Sequence, residues 1–345
     1  MVNWSTVRGS LAVLLVAIFL SLRIARCFVM ASPRIPPALA LFFGILAVST
    51  ASLFIRFAQQ DAPSLIIAAY RLGLASLALA VPVLRRQGNE FRRLERRDLL
   101  LIALSGVFLA VHFASWITSL EYTTVASSVI LVTTTPLWVG LLSPLVLRER
   151  LTRALVVGMC LTLAGSVIVG LSDTCTWQSG LQCPSLSTFV QGRAFTGDFL
   201  ALIGAWMAAG YLLIGRGVRE KLSLWSYIFG VYGTAAFTLV LWAALAGLSF
   251  TGYRPQTYLW MAALALVPQL MGHSTFNWAL RHLPAAYVSV TLLGEPVGSA
   301  VLAFLLLGET PGALMLTGAA LILIGIAVAS RPQPDLPVEE ALAEM

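Results

Sequence analysis

The chain has 345 residues, of which 59% are hydrophobic and 11% charged, with a formal net charge of +7 and a mean hydropathy of +0.88. That balance excludes a soluble globular domain and places the chain in a bilayer. The positive charge lies in connections between apolar runs, so it argues for topology and contact with anionic lipid headgroups and against nucleic-acid binding.

In chain order, residues 1–30 come first, with an apolar run from Leu11 to Leu22 flanked by Arg8, Arg23 and Arg26. The run is short for a span and reads as an extra N-terminal helix of signal-like or interfacial type, or as sequence ahead of a second start at Met30. Apolar runs of about 20 residues, enough to cross a bilayer, follow at 37–57, 64–84, 99–118, 124–147, 153–172, 198–215, 224–248, 257–280, 284–307 and 312–330. Such lengths suit helices rather than barrel strands. The expectation is an all-α membrane protein with ten transmembrane helices. Between the fifth and sixth runs, the loop 173–197 carries Cys175 and Cys183; they can join as a disulfide or stay as thiols, since spacing alone does not bring them together. The tail 331–345 contains prolines and is acidic at Glu339, Glu340 and Glu344, as expected of a disordered end.

Basic residues follow the second run (Arg85, Arg86, Arg92, Arg93, Arg96, Arg97), the fourth (Arg148, Arg150, Arg153), the sixth (Arg216, Arg219, Lys221) and the eighth (Arg281). The alternate connections hold only Arg193 and Arg254. Because basic loops resist translocation, both ends of the core are expected in the cytoplasm. The sole lysine, Lys221, points to a GC-rich bacterial genome and hence to the bacterial cytoplasmic (inner) membrane.

The second half repeats the first at a shift of 160 residues: Leu120 falls on Leu280, Pro136 on Pro296, Glu149 on Glu309, Gly158 on Gly318 and Gly165 on Gly325, and upstream Gly44 on Gly204 and Arg56 on Arg216. One duplication of a membrane bundle explains this better than a solenoid, whose periods are shorter. Five spans per copy force the copies into opposite orientations. The organisation is therefore a first five-helix repeat at 31–172, an extracytoplasmic loop at 173–197 and a second repeat at 198–330.

Polar residues inside apolar spans mark a water-filled path. Glu295 lies about 15 Å deep by helix rise, before Pro296, on a face with Tyr287, Thr291 and Ser299. It is either a proton-coupling or substrate-contacting carboxylate or a packed, paired acid. The third span presents His112, Ser115, Trp116 and Ser119 on one face, and the eighth presents Gln269, His273, Phe276 and Asn277; such stripes suit a cavity for an organic solute. Trp116 and Phe276 are repeat-mates, whereas His112 and His273 miss by one position. Neither histidine has further ligands at metal spacing. Arg71, about 10 Å deep, is expected to be structural, by snorkelling outward or by pairing with a carboxylate or a helix C-terminus, with direct solute binding as the alternative. Glu149 and Glu309, beside Thr152 and the pair Thr310 and Pro311, are likewise expected to be structural.

The stretches His112-Phe-Ala-Ser-Trp116, Leu120-Glu-Tyr-Thr-Thr-Val-Ala126, Thr135-Pro-Leu-Trp138 and Leu147-Arg-Glu149-Arg150, with the echoes Asn277-Trp-Ala-Leu280, Leu293-Gly-Glu295-Pro296 and Leu307-Gly-Glu309, resemble the EamA-domain transporters of the drug/metabolite transporter superfamily. The resemblance covers 37–330 and implies ten helices in two inverted five-helix repeats, and export of amino acids, related metabolites or drugs.

Together these readings predict a secondary transporter, in the exporting direction, of a small organic metabolite such as an amino acid, by alternating access around a midplane cavity. Trp116, Phe276, Trp138 and Tyr287 are expected to shape the cavity, and His112, His273, Asn277 and Glu295 to supply polarity. No cofactor is expected. There is no phosphate-binding glycine loop, so a gradient of protons or of the solute supplies the energy. A passive channel or solute-sensing receptor is the alternative. A membrane-embedded enzyme is disfavoured, because His112, His273 and His282 are the only histidines and no nucleophile-base pair accompanies them.

Overall fold

The computed structural model describes residues 36–91, 94–123, 128, 131–149, 151–172, 176–177, 181–182, 193–307 and 312–330. The N-terminal extension, Cys175, Cys183, Glu309 and the acidic tail lie outside the described residues.

The apolar runs form helices: α1 (Pro37–Val48), α2 (Ala51–Ala58), α3 (Ser64–Phe91), α4 (Arg96–Tyr122), α5 (Thr135–Val146), α6 (Arg153–Ser172), α7 (Arg193–Arg219), α8 (Leu224–Leu245), α9 (Pro255–Leu264), a π-helical segment (Ala265–His273), α10 (Ser274–Ala279), α11 (Ala285–Leu292), α12 (Glu295–Leu307) and α13 (Ala313–Ala329). Two-residue strands, β1 (Thr176–Trp177) and β2 (Leu181–Gln182), pair antiparallel between α6 and α7. Among the described residues, six helical stretches are long and apolar enough to cross a membrane: Pro37–Ala58, Ser64–Gln87, Arg96–Tyr122, Phe195–Arg219, Leu224–Leu245 and Ala285–Leu302. Thr135–Val146, Arg153–Val169 and Ala313–Ala329 are apolar but shorter. Leu77, Leu145, Phe237, Leu245 and Leu305 are exposed on the outside, while Ile55, Leu72, Leu109, Val231 and Leu239 are buried inside. These helices are apolar on every side because one face meets protein and the other meets lipid.

Three of the predicted spans are interrupted. The first breaks between α1 and α2 at Ser49 and Thr50, the ninth between α11 and α12 at Leu293 and Gly294, and the fourth just before α5 at Thr133 and Thr134. The last two breaks are repeat-mates. Irregular backbone at membrane depth needs partners from neighbouring protein, and the breaks supply them to each other. Ser49 Oγ donates to the carbonyls of Ile45 at 2.7 Å and Glu295 at 3.1 Å, and Ser299 Oγ donates to Ser49 O at 3.0 Å.

Contacts within and between the halves survive exchange of the two repeats, as a two-fold relation requires. Within the first half Gln59 Nε2 donates to Ile117 O at 3.4 Å, and within the second its mate Arg219 donates through Nε to Asn277 O, the mate carbonyl, at 3.0 Å. Gly204 packs on Ser115 and Gly44 on Thr275, again mates. Helices α6 and α13 run antiparallel, with Gly158 against Gly325 and Gly165 against Gly318.

The basic connections gather at one end of the bundle. Glu90 accepts from Ser223 N at 2.7 Å, Lys221 Nζ lies 3.9 Å from Asp98, and Arg216 Nε lies 2.6 Å from Glu149. At the opposite end, Asp61 accepts from Arg254 N at 2.7 Å and Thr257 Oγ1 at 2.8 Å. Glu149 also accepts from Ala285 N at 3.1 Å, and Arg216 donates to Leu280 O at 2.9 Å, so this pair ties the two halves together. Glu149→Ala strips a charge partner from Arg216 and an acceptor from the start of α11. It should lower stability by about 1–3 kcal/mol, read as a reduced Tm in detergent; an unchanged Tm would show the pair to be idle.

Candidate functional site

A cavity of about 90 Å³ lies between the halves, at the level of the helix breaks. Its walls repeat with the sequence: Val48 and Ala208, Ala51 and Tyr211, Phe113 and His273, Trp116 and Phe276, Val132 and Leu292, Thr133 and Leu293, and Thr135 and Glu295 are mates that all face it. Both halves thus build one chamber from equivalent positions.

Five of the expected solute-contacting residues, His112, Trp116, His273, Phe276 and Glu295, line this chamber. Trp138, Asn277 and Tyr287 do not line it. Trp138 donates its indole N–H to Thr134 Oγ1 at 3.2 Å and packs edge-on against Trp206 at 5.5 Å. Asn277 is fully buried behind the wall, its amide donating to His273 O at 2.8 Å and to Tyr232 OH at 3.4 Å. Tyr287 reaches the end of α13, with its hydroxyl 2.9 Å from Ser330 Oγ.

Arg71 corrects the expectation of a snorkelling side chain. It is 1% exposed and faces the chamber. Its Nε donates to Gln269 Oε1 at 2.8 Å, and its guanidinium carbon stands 4.1 Å from the centre of the Phe113 ring, a cation–π contact. The π-helical segment brings Gln269 to this position. Arg219, which the sequence places in a loop, is also buried, donating to the carbonyls of Asn277 and Leu222.

His112 lies with Nδ1 2.9 Å from Gly204 O. A carbonyl only accepts, so Nδ1 carries the proton and Nε2 of the neutral ring is an acceptor. The ring stacks with Trp116 at 6.0 Å. The repeat-mate of His112 is Gly272, where a Cβ would meet Val48 at 2.5 Å; the small residue lets the π-helical segment approach α1. Phe113, not His112, is the counterpart of His273, and their rings meet edge-on at 5.3 Å.

Glu295 occupies the first turn of α12, where the helix dipole favours a negative charge. Arg71, from the other half, lines the same chamber. The mate of Glu295, Thr135, instead turns its hydroxyl back to Val132 O at 2.8 Å. Each of the two charges occurs in one half only: the position equivalent to Arg71 is Val231. Phe113 and Tyr211 are among the lining residues that sequence reasoning missed, and Arg71 lines the chamber as its alternative reading had it. Adding 160 to, or subtracting it from, each candidate would have found Phe113 through His273.

The two-fold organisation is matched by comparison with known proteins. The profile of the EamA-like transporter family matches twice, over residues 35–171 and 195–331. A protein of Archaeoglobus fulgidus described as an uncharacterized transporter is 24% identical over 283 residues, 81% of this chain and 92% of its own length. A probable terminal-alkyne amino-acid exporter of Streptantibioticus cattleyicolor is 25% identical over 276 residues, 76% of this chain and 82% of its own. A solved crystal structure superposes with a TM-score of 0.70 at 20% identity, over 85% of this chain and 96% of that one, which speaks for the fold. The chain is a multi-pass membrane protein and belongs to the EamA-like transporter family of the drug/metabolite transporter superfamily.

Proposed function

We propose that this protein is a secondary carrier that exports a small organic metabolite, of the amino-acid kind, by alternating access around the central chamber. The observation that carries the reading is a single chamber walled by repeat-mates at the breaks of three spans. Two copies of one scaffold in opposite orientations give inward-open and outward-open states of similar energy, which modest differential binding can exchange. In this reading the core has ten spans in two inverted repeats, 31–172 and 198–330, joined by the loop 173–197. Both core ends face the cytoplasm of a bacterial cell, the basic end of the bundle lying on the cytoplasmic side of the inner membrane. His112, Trp116, His273 and Phe276 contact the solute, Trp138, Asn277 and Tyr287 support that wall indirectly, and Glu295 couples transport to protons. The amino-acid exporter among the relatives supports the solute class.

Counterflow in proteoliposomes tests the carrier. Preloading with unlabelled amino acid should accelerate uptake of the labelled compound; uptake that proceeds without acceleration would identify a channel.

A further inference from the structure

Building on that reading of the chamber, we infer that Arg71 forms a carboxylate-binding subsite in its wall, so that the solute must carry a carboxylate. Arg71 is 1% exposed, and its Nη1 has no hydrogen-bond partner. Among the described residues no carboxylate comes within ion-pair distance of it. A buried guanidinium stays charged, and leaving such a charge unpaired costs several kcal/mol. A packing role gives no reason to retain it, since the equivalent position holds Val231, fully buried in the core.

The geometry aims the group. Gln269 Oε1 takes Nε at 2.8 Å, and the Phe113 ring covers the plane of the guanidinium, 4.1 Å from Cζ. With Nε and one flat face engaged, the terminal nitrogens are left for a ligand. A carboxylate matches their fork with two parallel hydrogen bonds, a geometry that an ammonium, an amide or a hydroxyl does not reproduce. Trp116, Phe276 and Tyr211 line the rest of the chamber and receive the apolar part of the solute.

The test compares alanine, leucine and phenylalanine with their amides, which keep the amine and side chain and lose only the carboxylate. Thermal shift of the full-length protein in detergent is the readout, because ligand binding to the native state raises apparent stability. At least one acid should raise the Tm, and its amide should bind about ten- to a hundredfold more weakly. Arg71→Gln should erase the difference between acid and amide, while Arg71→Lys, which keeps the charge and loses the fork, should restore part of it. The wild-type comparison stands even if Arg71→Gln fails to fold. Amides that bind as well as the acids, or no shift with any acid, would overturn the subsite. Counterflow of a solute without a carboxylate, such as adenosine, would then leave the carrier reading standing; failure of exchange with every solute would remove both.

Discussion

Glu295→Gln is expected to abolish transport driven by a pH gradient while leaving the protein folded and inserted. The carboxylate faces the chamber, and the residue's link to the rest of the bundle runs through its backbone, whose carbonyl accepts from Ser49 Oγ at 3.1 Å. Glutamine keeps that link, the helix start and the side-chain volume. It removes the capacity to take up and release a proton, on which coupling at this position depends. Pure exchange of labelled for unlabelled solute moves no net proton and should continue. The two assays must therefore separate: pH-driven flux falls to the background of empty liposomes, and counterflow survives. Normal pH-driven flux in the variant would end the coupling role of Glu295, and parallel loss of both activities would point to a solute contact instead. Arg71 makes the substitution more telling, since glutamine leaves the guanidinium as the only permanent charge of the pair and should tighten the retention of anionic solutes.

How far the sequence disclosed this site depends on where the helices stay regular. The constant shift of 160 residues needs no geometry, and it carried Trp116 onto Phe276, both of which line the chamber. Face assignments by steps of three and four residues hold only along an unbroken α-helix. Asn277 shares a stripe with Gln269 on paper, yet Gln269 lies within the π-helical segment Ala265–His273, whose i→i+5 pattern breaks the three- and four-residue step between them. Asn277 accordingly points to Tyr232 rather than the chamber. Tyr287 was tied to Glu295 across the break at Leu293 and Gly294, where four-residue steps no longer count. The sequence left Arg71 between two readings for another reason: what fixes it is Gln269, 198 residues away, and no local pattern reveals such a partner. The cysteines of the loop 173–197 lie outside the described residues, so their pairing stays an expectation.

The second large effect should come from the crossing of α6 and α13. A Cβ on Gly158 would lie 2.5 Å from the Gly325 carbonyl oxygen and 2.8 Å from Ala329 N; one on Gly325 would lie 2.7 Å from the Gly158 carbonyl oxygen. Each obstacle is helix backbone, which cannot rotate away as a side-chain tip can. Alanine at either site should therefore cost about 1–3 kcal/mol through overpacking. Valine should force the helices apart and remove most of the folded material, read as loss of the monodisperse peak on size exclusion. Gly73→Ala is the control: nothing lies within 4 Å of its Cβ position, and a helical glycine replaced by alanine gains about 0.5–1 kcal/mol. No residue of α6 or α13 lines the chamber, so whatever fraction of Gly158→Ala folds should bind solute with unchanged affinity. A Gly158→Val protein with the wild-type Tm would show that these helices do not meet through their glycines, and with that the packing relation between the two halves would fall.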